Sequence, residues 1–176
     1  MSRTKWKLDP NHSEVTFKVK HMMITNVSGS FKEFDVKAET DGDDFTKSDV
    51  VFTARTASVD TNNAQRDAHL KSADFFDAEK FQEIRFVPTS YEKSSGNNYR
   101  VHGNLTMKGV TKHLVVDAEF GGIQKDPYGN TKAGFSVNGK INRKDFGLNW
   151  NAALEAGGVM VSDDVRINCE IQLIRE

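Results

Sequence analysis

The sequence predicts an all-β domain of antiparallel strands, folded either as a sandwich or as a barrel of about eight strands, with a short helix near residues 62–73. Three observations predict it. Apolar and polar residues alternate with a period of two in several separate runs. Phe occurs 12 times and Gly 13 times among 176 residues, against only 3 Pro, a balance that favours pleated chain punctuated by tight turns. Polar or Gly-containing turns separate most of the runs.

The first strong run is Glu14 to His21, which places Val15, Phe17, Val19 and His21 on one face and Thr16, Lys18 and Lys20 on the other. Tyr99 to Met107, Ala133 to Ile141 and Val165 to Leu173 repeat the pattern, each with its apolar residues at odd positions. A slip of one residue would exchange the two faces, so parity specifies which side is buried. Weaker strands are expected at Trp6–Leu8, Phe31–Glu39, Val50–Val59, Glu83–Pro88 and His113–Phe120. Turns are expected at Asp41-Gly42, Ser95-Gly96-Asn97-Asn98, Gly121-Gly122 and Tyr128-Gly129-Asn130. Asn62 to Ala73 lacks β-branched residues and contains good helix formers, so it reads as a helix N-capped by Thr61 or Asn62. No linker or internal repeat divides the chain, which reads as one domain over residues 1–176.

Composition narrows the function. Lys and Arg total 24 against 25 Asp and Glu, so no basic excess exists to neutralise the phosphates of a nucleic acid. No run approaches the length of apolar chain needed to span a bilayer as a helix. The single cysteine, Cys169, is expected as a small core residue. The first residues carry charges with no apolar stretch behind them, so the sequence as written reads as cytoplasmic, and as periplasmic if a leader has been removed. The five histidines show no spacing typical of a compact metal site, and neither a metal nor a cofactor is expected. Asp145-Phe146-Gly147 has no accompanying kinase signature and reads as a turn, with an Arg143–Asp145 interaction beside it.

An apolar sheet face must be covered, and a barrel of about eight strands is either filled by its side chains or holds one small ligand. Gly103, Gly139, Ala118 and Ala133 fall on inward positions and favour unfilled volume. The competing reading is that each Gly marks a bulge or a close backbone approach. A cavity of this kind would take an apolar ligand, because each buried CH₂ contributes about 0.8 kcal/mol and each isoprene unit roughly 3–4 kcal/mol before association costs.

Ordered motifs along the chain resemble those of the YceI-like family. They are Trp6-x-Leu8-Asp9-Pro10-x-His12-Ser13, Val27-Ser28-Gly29-Ser30-Phe31, Ser58-Val59-Asp60-Thr61, Arg66-Asp67-x-His69-Leu70, Asp74-Phe75-Phe76-Asp77, Val101-x-Gly103-x-Leu105-Thr106-Met107-x-Gly109 and Arg143-x-Asp145-Phe146-Gly147. The resemblance implies a single extended, lipocalin-like antiparallel barrel. It implies an elongated apolar pocket that binds or transports a polyisoprenoid, a prenyl quinone or a similar long-chain lipid without catalysis, and homodimers by the same analogy. Carried onto this chain, Phe17, Val19, His21, Phe34, Phe86, Leu105, Phe135 and Ile141 are expected to line the pocket. Phe75, Phe76 and Phe81 are expected to close one end, and Arg66 and His69 to form its polar mouth. Two other readings remain at this point. One is an enzyme using His69, Asp67 and Arg66 for acid–base work at the mouth. The other is a stress-related interaction module with a filled barrel. Arg66 and Asp67 also admit a plainer reading, in which they only tie down neighbouring loops.

Overall fold

The computed structural model describes residues 3–151 and 160–176. Eleven strands form one sheet: β1 (Arg3–Leu8), β2 (Glu14–His21), β3 (Thr25–Phe31), β4 (Phe34–Asp41), β5 (Asp44–Arg55), β6 (Val59–Asp60), β7 (Glu83–Ser95), β8 (Asn98–Met107), β9 (Val110–Lys125), β10 (Thr131–Asn142) and β11 (Val161–Arg175). One helix, α1 (Ala64–Lys71), lies between β6 and β7.

The eleven strands make eight staves, because three staves are broken in the middle. β1 and β2 run in the same direction beside β11, with Leu8 opposite Leu173 and Glu14 opposite Glu170. Pro10 interrupts them, since it has no N–H for the ladder, and one turn of 3₁₀ helix capped by Asp9 carries the chain across the gap. β3 and β4 form the second stave, paired with β2 and β1 in turn. β5 and β6 form the third, interrupted by a 3₁₀ turn at Thr56–Ser58. Each stave then pairs antiparallel with the next in sequence, and β11 closes onto the first. The result is a closed eight-stave up-and-down barrel, as the motif resemblance implies. Closure leaves few edges exposed to other chains.

The structure departs from the sequence reading in several elements: β5 begins at Asp44 and stops at Arg55 where a strand over Val50–Val59 is expected, and β7 runs on past Pro88 to Ser95. The expected strand Phe31–Glu39 is split, because the chain turns at Lys32-Glu33 between β3 and β4. Gly121-Gly122 is not a turn. β9 continues through it to Lys125, with a bulge in which Phe120 faces Phe135, Gly122 faces Gly134 and Gly121 has no partner. The helix is shorter than residues 62–73, and its N-cap is Asn63, whose Oδ1 accepts from Arg66 N at 3.0 Å. Asn62 sits at φ +63° and cannot begin it.

One seam is short. β5 and β7 pair only from Phe52–Phe86 to Arg55–Glu83. Beyond Phe52 towards the β4–β5 turn, β5 stays with β4 and β7 stays with β8. At the same end of the barrel Trp6 is 2% exposed, and its Nε1 donates to Thr40 Oγ1 at 2.8 Å. Thr40, fully buried, donates in turn to the Gly42 carbonyl at 2.6 Å. Asp9 is also buried there, accepting from Lys132 Nζ at 2.7 Å and sharing a proton contact with His12 Nδ1 at 2.8 Å. Burial alone would raise the Asp9 pKa, but the hydrogen bonds and charges of Lys132 and His12 outweigh it and hold the carboxyl below its ordinary value.

Thr40→Val leaves the buried Trp6 N–H without its acceptor, and a loss of about 1–3 kcal/mol is expected in denaturant unfolding. Asp9 has a lowered folded-state pKa, so its contribution is present above the unfolded value of 3.8 and is lost as pH falls through the folded value. Asp9→Asn is therefore expected to be destabilised at pH 7, with the gap to the wild type closing as pH drops below 3.8 in a pH series of melting curves.

Candidate ligand cavity

The barrel encloses a cavity of about 350 Å³ lined by residues of every stave. That volume lies within the range of roughly 300–1,000 Å³ typical of small-molecule sites. Parity sets the lining. Tyr99, Val101, Leu105 and Met107 of β8 face it, as do Val165, Ile167, Cys169, Ile171 and Leu173 of β11. Leu114, Val116, Ala118 and Phe120 of β9 face it from even positions.

The inward glycines do not create this space. A Cβ on Gly103 would lie 2.6 Å from the Phe86 ring, and one on Gly139 would lie 2.8 Å from Val116 Cγ1. Neighbouring side chains occupy what each Gly vacates, so close approach is the correct reading at both positions. The cavity is left open instead by the barrel's girth between two aromatic ends. Towards the β4–β5 turn, the Phe45 ring stands edge-on to Phe135 at 4.9 Å and packs against Trp6 at 5.0 Å, with Phe120 5.2 Å from Phe135. Towards α1, Phe31 lies between Phe17 at 5.6 Å and Phe76 at 5.8 Å. The rings cap the interior and do not fill it, so the filled-barrel reading fails on this point.

The expected site residues separate into two groups. Phe17, Phe76, Phe86, Leu105, Phe135 and Ile141 line the cavity. Val19 and His21 lie on the expected face of β2 but beyond the lining, towards the β2–β3 turn, where they pair with Val165 and Val161. Phe34 starts β4 and packs on Phe52 with ring centroids 6.4 Å apart, between the two apolar clusters of the core. Phe75 is buried under α1 against Trp150, and Phe81 lies beneath Gly109. Neither lines the cavity.

Arg66 and His69 do not form its mouth. Arg66 Nε donates to Thr61 Oγ1 at 2.8 Å and Nη2 to the Thr61 carbonyl at 2.7 Å. Asp67 Oδ1 accepts from Thr61 N at 2.9 Å and from Thr61 Oγ1 at 2.5 Å. His69 stands edge-on to Trp150 at 4.6 Å, with Nε2 3.0 Å from Asp74. The motif anchors α1 to the loop before it, which is the plainer of its two readings. His102 and His113 stack on the outside of the barrel at 5.4 Å, and among the described residues no group of three or more metal-ligating side chains converges.

Two features escaped the sequence reading. Phe45, Phe52 and Phe31 belong to the lining. Arg143, 3% exposed, makes no bond to Asp145. It donates to the carbonyls of Ser162 at 2.8 Å, Leu148 at 2.6 Å, Trp150 at 2.9 Å and Val161 at 3.2 Å, tying the segment after Gly147 to the start of β11. Burial lowers its pKa and Asp163 offsets part of that. Cys169 faces the cavity mid-wall, and burial, with Glu170 adding, pushes its thiol up to about 12. It is a protonated, apolar wall group at neutral pH.

Comparison with known proteins places this architecture. The model of the YceI-like domain matches residues 6–173. The chain belongs to the YceI-like family. Among its YceI-like relatives, a UPF0312 protein of Staphylococcus aureus (strain MSSA476) is 41% identical over 170 residues, covering 96% of each chain. The crystal structure of the Campylobacter jejuni YceI protein matches with a TM-score of 0.76 at 37% identity, covering 90% of this chain and 91% of that one. The fold is shared with BcnA of Burkholderia cenocepacia (TM-score 0.81, 23% identity, 94% and 98% covered). It is also shared with a polyisoprenoid binding domain from Saccharophagus degradans (TM-score 0.71, 14% identity, 97% and 98% covered).

Arg143→Lys keeps the charge of this YceI-like chain but cannot reach four carbonyls, and a loss of about 2–3 kcal/mol is expected in thermal or denaturant unfolding. The folded chain is expected to react with a water-soluble disulfide reagent at pH 8 about a hundredfold more slowly than the urea-unfolded chain, because thiolate at Cys169 is scarce and shielded.

Proposed function

We propose that this chain binds a long apolar amphiphile, a polyisoprenoid or prenyl quinone, inside its barrel and carries or stores it without catalysing a reaction. The observation that carries this reading is the cavity of about 350 Å³, walled mainly by Phe, Val, Leu and Ile, with most of its polar groups towards the β4–β5 turn. Such a space transfers hydrocarbon out of water at about 0.8 kcal/mol per CH₂. A chain of three or four isoprene units would then gain roughly 9–16 kcal/mol, enough to outweigh the cost of association. Membership of the YceI-like family and the polyisoprenoid-binding description of the Saccharophagus degradans neighbour support the same ligand class. The acid–base reading is less well supported, because Arg66 and Asp67 are spent on Thr61 and lie outside the cavity lining.

Native mass spectrometry of the chain purified from cells, followed by solvent extraction, tests the proposal. A co-purifying lipid, or uptake of an added prenyl quinone, is expected. An empty chain that takes up neither overturns it. Val137→Phe, in the wall between Ala118 and Cys169, places a ring in the cavity. The variant is expected to lose prenyl-quinone binding at least about tenfold while its melting temperature holds or rises, because the ring fills existing space.

A further inference from the structure

Apart from Arg143 at the other end, the hydroxyl and carboxylate groups of the lining gather towards the β4–β5 turn. Asp43, Asp44, Thr46 and Ser48, at the β4–β5 turn and the start of β5, and Tyr91 of β7 all touch the cavity. They flank the stretch where β5 and β7 no longer pair. Ser48 and Tyr91 bridge that gap, oxygen to oxygen, at 2.9 Å. Ser48 also reaches the Phe45 carbonyl at 2.6 Å. A hydroxyl has one proton, so Ser48 donates to only one of these acceptors at a time. The Tyr91–Ser48 pair therefore offers both a donor and an acceptor to a group arriving from the cavity.

Carboxylates are the charged groups that line the cavity at this mouth. The ionisable groups of the lining beside it are the carboxylates of Asp43 and Asp44. Asp44 accepts from Thr46 N at 2.9 Å and from Thr46 Oγ1 at 2.5 Å, and the Thr46 hydroxyl bond above all keeps it ionised by lowering its pKa. Arg175 is engaged with Asp43 at 2.5 Å and lies over the Trp6 ring at 5.2 Å. The lining's own guanidinium, Arg143, belongs to the opposite end and is committed to four carbonyls. An anionic head group brought here would meet the carboxylates of Asp43 and Asp44, with Arg175 already paired to Asp43 and Lys47 acting on Asp44 from one side.

Resting on the proposed carrier function, we infer that the β5–β7 seam is the head-group subsite and that it selects an uncharged, hydrogen-bonding head, a carbonyl or hydroxyl, over a diphosphate. The prenyl chain runs from this seam into the apolar barrel. Tyr91 and Ser48 hold the head, and the Asp44 carboxylate, with Asp43 held by Arg175, disfavours an anion.

The test uses the full chain loaded with the neutral dye N-phenylnaphthylamine, displaced by geranylgeraniol or by geranylgeranyl diphosphate, two ligands with the same hydrocarbon. The alcohol is expected to displace the dye at lower concentration. The double variant Asp43→Asn, Asp44→Asn is expected to shift the diphosphate-to-alcohol affinity ratio at least about tenfold towards the diphosphate. The variant ratio cancels the different solubilities of the two ligands. Tyr91→Phe is expected to weaken the alcohol several-fold more than it weakens the dye. A wild-type chain that prefers the diphosphate, or a ratio unmoved by the double variant, overturns the inference and leaves the carrier function standing. A chain that binds dye, alcohol and diphosphate not at all overturns the carrier function itself.

Discussion

The structure depends on the antiparallel ladder between β11 and the first stave. β11 is long enough to hold β1 at one end, with Leu8 opposite Leu173, and β2 at the other, with Val19 opposite Val165. That double engagement joins the two ends of the chain and turns a meander into a closed wall. Every inward face along the wall is then defined by parity, since closure removes the freedom to slide by a residue. The local devices serve this ladder. Asp9 caps the break at Pro10 and accepts from Lys132 of β10, two staves away, across β11. Arg143 ties the segment after Gly147 to the start of β11 through four backbone carbonyls.

Closure also explains why the interior is hollow although the inward glycines are covered. Eight staves leave a core that side chains span only if large residues meet across it. Here the large residues are concentrated at the ends. Trp6, Phe45, Phe120 and Phe135 gather towards the β4–β5 turn, and Phe17, Phe31 and Phe76 towards α1. Mid-wall positions carry smaller groups, such as Val116, Ala118, Val137 and Cys169. The hydroxyl and carboxylate lining groups lie towards the β4–β5 turn and the Arg143 guanidinium at the other end, so the two ends of the cavity differ chemically.

The sequence speaks clearly about faces and poorly about height along the barrel. Alternation in β8 and β11 identifies wall residues that the structure places on the cavity, because parity alone decides them. It cannot separate Phe17 from Val19 or His21, which share a face and differ only in distance from the end. Phe45 was invisible because it follows a turn signal immediately, in a stretch with no alternation to mark it as strand. Gly121-Gly122 misled for the opposite reason: paired glycines suit a turn and a bulge equally. The helix motif illustrates a further limit. Arg66, Asp67 and His69 are the residue types of an active site, and only the coordinates show that Thr61, five and six positions earlier, takes up the first two.

The short β5–β7 ladder has a dynamic consequence. Backbone hydrogen bonds are the main resistance to parting two neighbouring staves, and this pair has few of them. Opening there costs less than anywhere that would break a full ladder, and it leaves the closure between β11 and the first stave intact. Access to the cavity thus has a route by lateral breathing of one flank, at a rate decoupled from global unfolding.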